Sequence, residues 1–303
     1  MEELERLKRK VENATELQSI VKIMKAISAA NIREYGQAVE SLEAYESTIE
    51  MGLQILMRSR LEDRSDVFPK SGGKAEKSKL GAVIFGSDQG LIGKFNENIS
   101  SFALSRMNEM EKEFGFKERS TVAVGERVVA RLEEAGQKID NYFSFSGNVQ
   151  GVTKVMQNVL VKIEQWRLEG GVDQIVLFYN RPVSGSSFDP QMVYLYPLDV
   201  KWLESLAGKK WRSKTLPTFT MNPDRLFASL VNQYLFITLY RAFVESLASE
   251  NASRLMSMQL AERNIEEHLH ELTVQFQRQR QTAITSELLD IVTGYEALTG
   301  GKG

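Results

Sequence analysis

With 303 residues, 42% of them hydrophobic, the chain is long enough for one or two domains with a substantial core. A formal net charge of −2 and a pI near 6.0 exclude a global electrostatic pull toward nucleic acid or an anionic membrane. The absence of Cys excludes disulfides and thiolate chemistry, fits a reducing compartment, and with only His268 and His270 leaves no Cys- or His-rich metal site.

Met1–Glu12 is densely charged, which does not suit a secretory signal. No run approaches the roughly 18 apolar residues of a membrane-spanning helix. The N-terminal segment carries a seven-residue repeat, Leu7, Ala14, Val21, Ser28, Tyr35, Leu42, Ile49 and Leu56, in which only Ser28 is clearly polar. A companion series follows at offsets of three or four: Leu4, Val11, Leu17, Met24, Ile32, Val39 and Leu53. This is the pattern of a supercoiled helix, set at residues 1–60. Residues 61–79, rich in Gly, Ser and Lys, read as a linker loop.

The period then changes. Leu80–Phe85 is a short apolar run ending in a Gly-rich turn, a buried strand. Phe95–Phe114 reads as a helix, Thr121–Val124 as a strand, Glu126–Glu134 as a helix, and Val149–Glu169 as another helix. Gln174–Tyr179 and Met192–Pro197 complete the strands. Alternating strands and helices over 80–200 imply a Rossmann-like, mainly parallel α/β domain. Residues 201–221 read as a polar, irregular connection. Asn222-Pro223 then supplies an N-cap and a Pro at the first helical position. From Asp224 to Thr293 there is neither Gly nor Pro, about 70 residues or about 105 Å of helix. Its apolar stripe ends at Gly294, and the helical segment is set at 222–298. The expected fold is α/β: a long antiparallel coiled coil of N- and C-terminal helices with the α/β domain inserted between them.

The sequence offers no catalytic constellation. The turn Gly86-Ser-Asp-Gln-Gly90-Leu-Ile-Gly93-Lys94-Phe95-Asn96 resembles a phosphate loop. A Walker A loop needs Gly where Asp88 stands and Ser or Thr where Phe95 stands, and a dinucleotide fingerprint also fails at Asp88. The turn reads instead as a tight strand-to-helix connection with close backbone packing, able at most to meet a small anion. His268 and His270 are two apart on a helix and cannot face one ligand. No catalytic residue, metal or cofactor is expected. Two stretches hold basic residues and no acid: Leu17–Arg33 with Lys22, Lys25 and Arg33, and Leu272–Ser286 with Arg278 and Arg280. Such zones suit acidic loops of a partner.

Three segments carry a resemblance. Ile20-Val-Lys-Ile-Met-Lys-Ala-Ile-Ser-Ala-Ala-Asn-Ile-Arg33, the turn Ser87–Asn96, and Ser249–Met258 followed by Arg280–Gly294 are similar to motifs of the gamma subunit of F-type ATP synthases, in the same order along the whole chain. The resemblance implies a central rotor shaft without its own active site, coupling rotation driven by protons or sodium ions to ATP synthesis or hydrolysis. The implied partners are three alpha and three beta subunits, the epsilon subunit and the membrane c-ring, with no nucleic acid. The implied location is peripheral, on the cytoplasmic face of a prokaryotic plasma membrane. Carried over residue by residue, Lys22, Met24, Lys25, Arg254, Arg280, Gln281, Thr285 and Glu287 would contact the ring. Ser87, Asp88, Gly90, Gly93 and Asn96 would shape a loop of the lower domain. Gln89, Ile92, Lys94, Ile23 and Ala26 depart from the family pattern and imply a divergent prokaryotic version. An α/β nucleotide-binding enzyme with coiled-coil arms and an unrelated coiled-coil scaffold are the competing readings.

Overall fold

The structure is a computed structural model, and it describes residues 2–62, 79–145, 149–168, 171–183, 187–211, 215 and 217–299. The expected linker loop lies almost wholly outside the described residues. The element order is α1 (Glu2–Glu62), β1 (Lys79–Phe85), α2 (Phe95–Phe114), β2 (Glu118–Val124), α3 (Glu126–Glu134), β3 (Asn141–Phe143), α4 (Val149–Leu168), β4 (Val172–Pro182), β5 (Phe188–Tyr196), α5 (Val200–Gly208) and α6 (Pro223–Thr299). Packing divides the chain into two compact units. One ends at Ser28 on α1 and resumes at Leu255 on α6; the other is Ala29–Arg254.

In the first unit the two helices run antiparallel. Gln279 Nε2 donates to Glu3 at 3.2 Å, Gln18 Nε2 to Glu266 at 3.3 Å, and Lys25 is bonded to Glu262. Leu7, Ala14 and Leu272 are buried together, with Val11, Leu269 and Phe276 packed around them. Heptad positions 7, 14, 21 and 28 all face inward, but Leu17 of the companion series is 54% exposed. Leu17 lies one residue short of the seven-residue step from Val11, which falls on Gln18. Gln18 takes the inward place, and Leu17 turns out.

In the second unit a five-stranded sheet has the order β3-β2-β1-β4-β5. β1 pairs in parallel with β2 and β4, β2 in parallel with β3, and β5 lies antiparallel to β4 at the edge. The mainly parallel sheet expected from the strand–helix alternation is thus present. Alternation of side chains gives each face its own core. Leu80, Ala82, Ile84, Ala123, Val176 and Phe178 pack on one face with α2 and α3 residues such as Ile99, Met107 and Leu132. Val83, Phe85, Val122, Val124, Ile175 and Leu177 pack on the other with Val159 and Ile163 of α4 and Leu239 and Phe243 of α6. Phe243 stacks on Phe85 at 5.3 Å and meets Phe145 edge-on at 5.2 Å. A third core joins Ile49, Leu53, Leu56 and Met57 of α1 to Leu203 and Leu206 of α5 and Ile237 of α6.

Three elements differ from the sequence expectation. β3 is only three residues long, too short for a periodic signal. Residues 200–208 form α5, where an irregular connection is expected. Asp199 caps it through Lys201 N at 2.9 Å, and Arg58 Nε donates to the Ala207 carbonyl at 2.9 Å to satisfy its C-terminal end. α6 passes through Gly294 and reaches Thr299. At its start Asn222 Oδ1 accepts from Asp224 N at 3.0 Å and Arg225 N at 3.3 Å, the N-cap expected from the sequence.

Candidate functional site

The turn after β1 is built by its neighbours rather than by its glycine count. Gly86 N donates to the Val124 carbonyl at 2.8 Å, extending the β1–β2 pairing by one residue. Asn96 Oδ1 accepts from Ser87 N at 3.0 Å, and its Nδ2 donates to Ser87 Oγ at 2.8 Å, closing the turn on itself. Asp88 Oδ1 accepts from Glu126 N at 2.9 Å and Oδ2 from Phe145 N at 2.6 Å. Asp88 therefore places a carboxylate at the N-terminus of α3, the position a bound anion would otherwise favour.

Of the two glycines expected to shape this loop, Gly93 has φ +56, while a Cβ at Gly90 would meet only Arg127 Nη2 at 3.9 Å. The indispensable close approaches are elsewhere. A Cβ on Gly86 would sit 2.3 Å from Val128 Cβ, and one on Gly125 would sit 2.7 Å from Ser87 N. Leu91 takes φ +61 and is 65% exposed. A large side chain in the left-handed region is strained.

Against this turn lies α6. Residues 242–254 are buried without interruption, so this stretch has no wet face. Glu250 Oε1 accepts from Arg254 Nη2 at 2.6 Å, and both side chains are about nine-tenths buried. The Nε of Arg254 is buried with no hydrogen-bond partner among the described residues. Glu250 and Arg254 line a small polar pocket with Asn31, Tyr35, Asp88 and Gln89. Burial raises the Glu250 carboxyl above its ordinary pKa; Arg254 opposes the rise and Asp88 adds to it. Arg254, which the resemblance assigns to ring contact, is thus enclosed by its own chain's second unit.

Tyr35 of α1 faces the same pocket, and its phenol is pushed up to about 12, first by burial, then by Glu250 and Glu34, with Arg254 opposing. A raised phenol pKa means the folded state holds its proton more tightly than the unfolded chain. That contribution is full below the unfolded value near 10.0 and is lost as pH rises toward about 12. Tyr35→Phe is therefore expected to flatten the fall of stability in this window. Urea midpoints of both chains at about pH 9 and about pH 11 measure it, and equal slopes would refute the assignment.

The other residues assigned to ring contact fall in the first unit. Lys22, Arg280, Gln281, Thr285 and Glu287 are exposed, and Met24 is half-buried. Lys25 is half-buried and engages Glu262 of its own chain. Sequence reasoning missed the apolar surface beside them. Leu17, Ile20, Ile23 and Ile27 are between 52% and 60% exposed, and Ile284, Leu288, Leu289, Ile291 and Val292 between 47% and 68%. The signal was available in the spacing of three and four between Leu17, Ile20, Ile23 and Ile27, a second stripe beside the heptad. Among the described residues no helix is long and apolar enough to cross a membrane.

The comparisons agree with this architecture. A model of the family described as ATP synthase matches residues 3–298. Curated proteins named ATP synthase gamma chain include that of Geotalea uraniireducens, 28% identical over 99% of this chain and 100% of the relative. That of Heliobacterium modesticaldum is 29% identical over 96% and 98%. Among solved structures, a chain from the Euglena gracilis mitochondrial ATP synthase rotor in rotational state 1 superposes with TM-score 0.53 at 14% identity, covering 93% of this chain and 98% of that one. A chain from the OSCP/F1/c-ring structure of the same enzyme in rotational state 3 gives TM-score 0.56 at 16% identity, covering 99% and 95%. Two long terminal helices around a mainly parallel sheet, a match along nearly the whole chain, and relatives of that name at full length place this chain in the ATP synthase gamma-chain family.

Proposed function

We propose that the chain is the central rotor shaft of an F-type ATP synthase, turning inside a ring of three alpha and three beta subunits. Its α/β domain sits with the epsilon subunit on the membrane c-ring, at the cytoplasmic face of a prokaryotic plasma membrane. Rotation driven by protons or sodium ions makes ATP, and hydrolysis drives the reverse. The observation that carries this reading is the helix pair of the first unit, whose outer surface combines exposed apolar stripes with exposed Lys22, Arg280, Gln281 and Glu287. A shaft must present different faces to three identical subunits and release each in turn. Exposed ion pairs of about 0–1 kcal/mol each form and break at little cost.

The nucleotide-binding enzyme loses ground at the same time. In doubly wound sheets a ligand enters at the carboxyl ends of the strands where strand order reverses. Here Ser249, Ser253 and Arg254 of α6 hold that place.

The test is co-purification with alpha and beta subunits from the same source, scored for ATPase activity with and without this chain. One copy per three alpha–beta pairs, with activity that depends on it, is expected. ATP hydrolysis by the isolated chain would sink the reading. Within such a complex, Arg280→Glu is expected to reduce coupled ion pumping about tenfold, because one reversed charge at a close pair turns attraction into repulsion. Lys138→Glu, on the α/β domain, serves as the control; equal losses in the two would remove Arg280 from the contact surface.

A further inference from the structure

Two residues one turn apart on α6 grip two different segments of the α/β layer. Ser249 Oγ donates to the carbonyl of Asn180, near the end of β4, at 2.9 Å. Ser253 Oγ donates to the carbonyl of Ile92, in the β1–α2 turn, at 2.7 Å. Asn180 Nδ2 reaches the carbonyl of Phe95 at 3.4 Å and so links the two segments to each other. Ser249 and Asn180 are 0% exposed and Ser253 9%.

Apart from Glu245, which meets Tyr179 and Arg181 of β4, the remaining contacts of α6 with the sheet are apolar, through Leu239, Phe243 and Leu247 against Phe85, Leu177 and their neighbours. Apolar contact is strong but non-directional: it resists separation better than it resists sliding or turning. Hydrogen bonds are directional. When buried, they cannot shift without parting a hydroxyl from its acceptor away from water, although the Ile92 carbonyl would keep its bond from Phe95 N at 3.3 Å. The Ser253 bond also grips the residue beside Leu91, whose backbone is strained at φ +61 and whose side chain is exposed.

We propose that Ser249, Ser253 and Asn180 form a torque-bearing joint, fixing the rotational setting of α6 against the β1–α2 turn and the end of β4. The residues of the joint act through the backbone segments they hold, so they are positioning residues. The inference deepens the rotor reading and rests on it. Under load the shaft helix turns relative to whatever holds it least rigidly. With the joint intact, the α/β layer and α6 turn together. Without it, part of each rotation is spent as slip at the apolar contact.

The experiment uses the assembled complex in sealed vesicles, reading the ratio of ATP-driven ion pumping to ATP hydrolysis. Ser253→Thr and Ser253→Val have the same shape and differ in the hydroxyl. The threonine variant is expected to keep the ratio of the unsubstituted chain, and the valine variant to lower it about threefold at similar hydrolysis per complex, the scale on which loss of one buried hydrogen bond is felt. Adding Ser249→Ala to the valine variant should lower it further. Equal ratios for the threonine and valine variants overturn the joint. If neither branched side chain assembles, Ser253→Ala and Ser249→Ala make the comparison with smaller ones, and an unchanged ratio in both overturns it. An unsubstituted complex that does not pump at all overturns the rotor reading and the joint with it. That outcome is distinct from one in which the complex pumps and the valine variant pumps equally well.

Discussion

Gly125→Ala is expected to destabilise the chain by about 3–5 kcal/mol, among the largest effects of any single methyl group here. Two causes add at this position. Gly125 has φ +110, a conformation that L side chains rarely adopt. Its new Cβ would lie 2.7 Å from Ser87 N and 2.8 Å from Ser87 C and O, and backbone atoms cannot swing aside as a side chain can. Ser87 is itself fixed, since its carbonyl accepts from Arg127 N at 2.9 Å and its amide donates to Asn96 Oδ1 at 3.0 Å. Displacing it therefore disturbs the start of α3 and the β1–α2 turn together. Gly136→Ala separates the two causes. Gly136 has φ +79, but nothing among the described residues would lie within 4 Å of a Cβ there. Backbone strain alone should cost about 1–2 kcal/mol there. Urea denaturation of the full-length variants measures both, and a Gly125 variant no worse than the Gly136 variant would show that the close approach carries no weight.

The architecture was legible in the sequence because its signals are long or repeated. Eight heptad positions from Leu7 to Leu56 are all buried or half-buried, and the polar exception, Ser28, is 1% exposed. Even Ser28 obeys the spacing rather than its own chemistry. The apolar runs of β1 and β4 mark strands covered on both faces, and helices do cover both. What stayed hidden is either short or non-local. β3 has three residues and pairs with β2 at the edge of the sheet. α5 draws its C-terminal hydrogen bonds from Arg58, far away in the chain. The resemblance sets the loop motif and Arg254 of the Ser249–Met258 motif on two separate surfaces, whereas Ser253 and Ile92 meet across 161 residues of sequence. Periodicity finds a stripe through Val244 and Ala248, yet every face of residues 242–254 is covered. A charge there looks solvated on paper and is buried in the fold.

Arg254→Met is the prediction that weighs this burial against a role at the surface. Glu250 and Arg254 are each 7% exposed, and Arg254 is the cation bonded to Glu250. Removing it leaves a buried carboxylate with Asp88 as its charged neighbour, a loss of about 3–5 kcal/mol at neutral pH. The loss depends on pH in a definite direction. The Glu250 pKa is raised by burial even with Arg254 in place, and without the arginine nothing opposes that rise. A carboxyl with a raised folded-state pKa binds its proton more tightly in the native chain. Its stabilising contribution is full below the unfolded value near 4.5 and is lost as pH climbs through the raised one. The penalty of Arg254→Met should therefore shrink as the solution is acidified from about pH 7 to about pH 5. The double variant with Glu250→Gln should recover most of it at both pH values, because no charge is left to bury. Urea midpoints of the isolated chains decide the matter. A cost below about 1 kcal/mol, independent of pH, would fit an arginine that only meets a partner. A large cost that acid relieves would mean that Arg254 holds the polar pocket together from inside the chain, where α6 meets the β1–α2 turn.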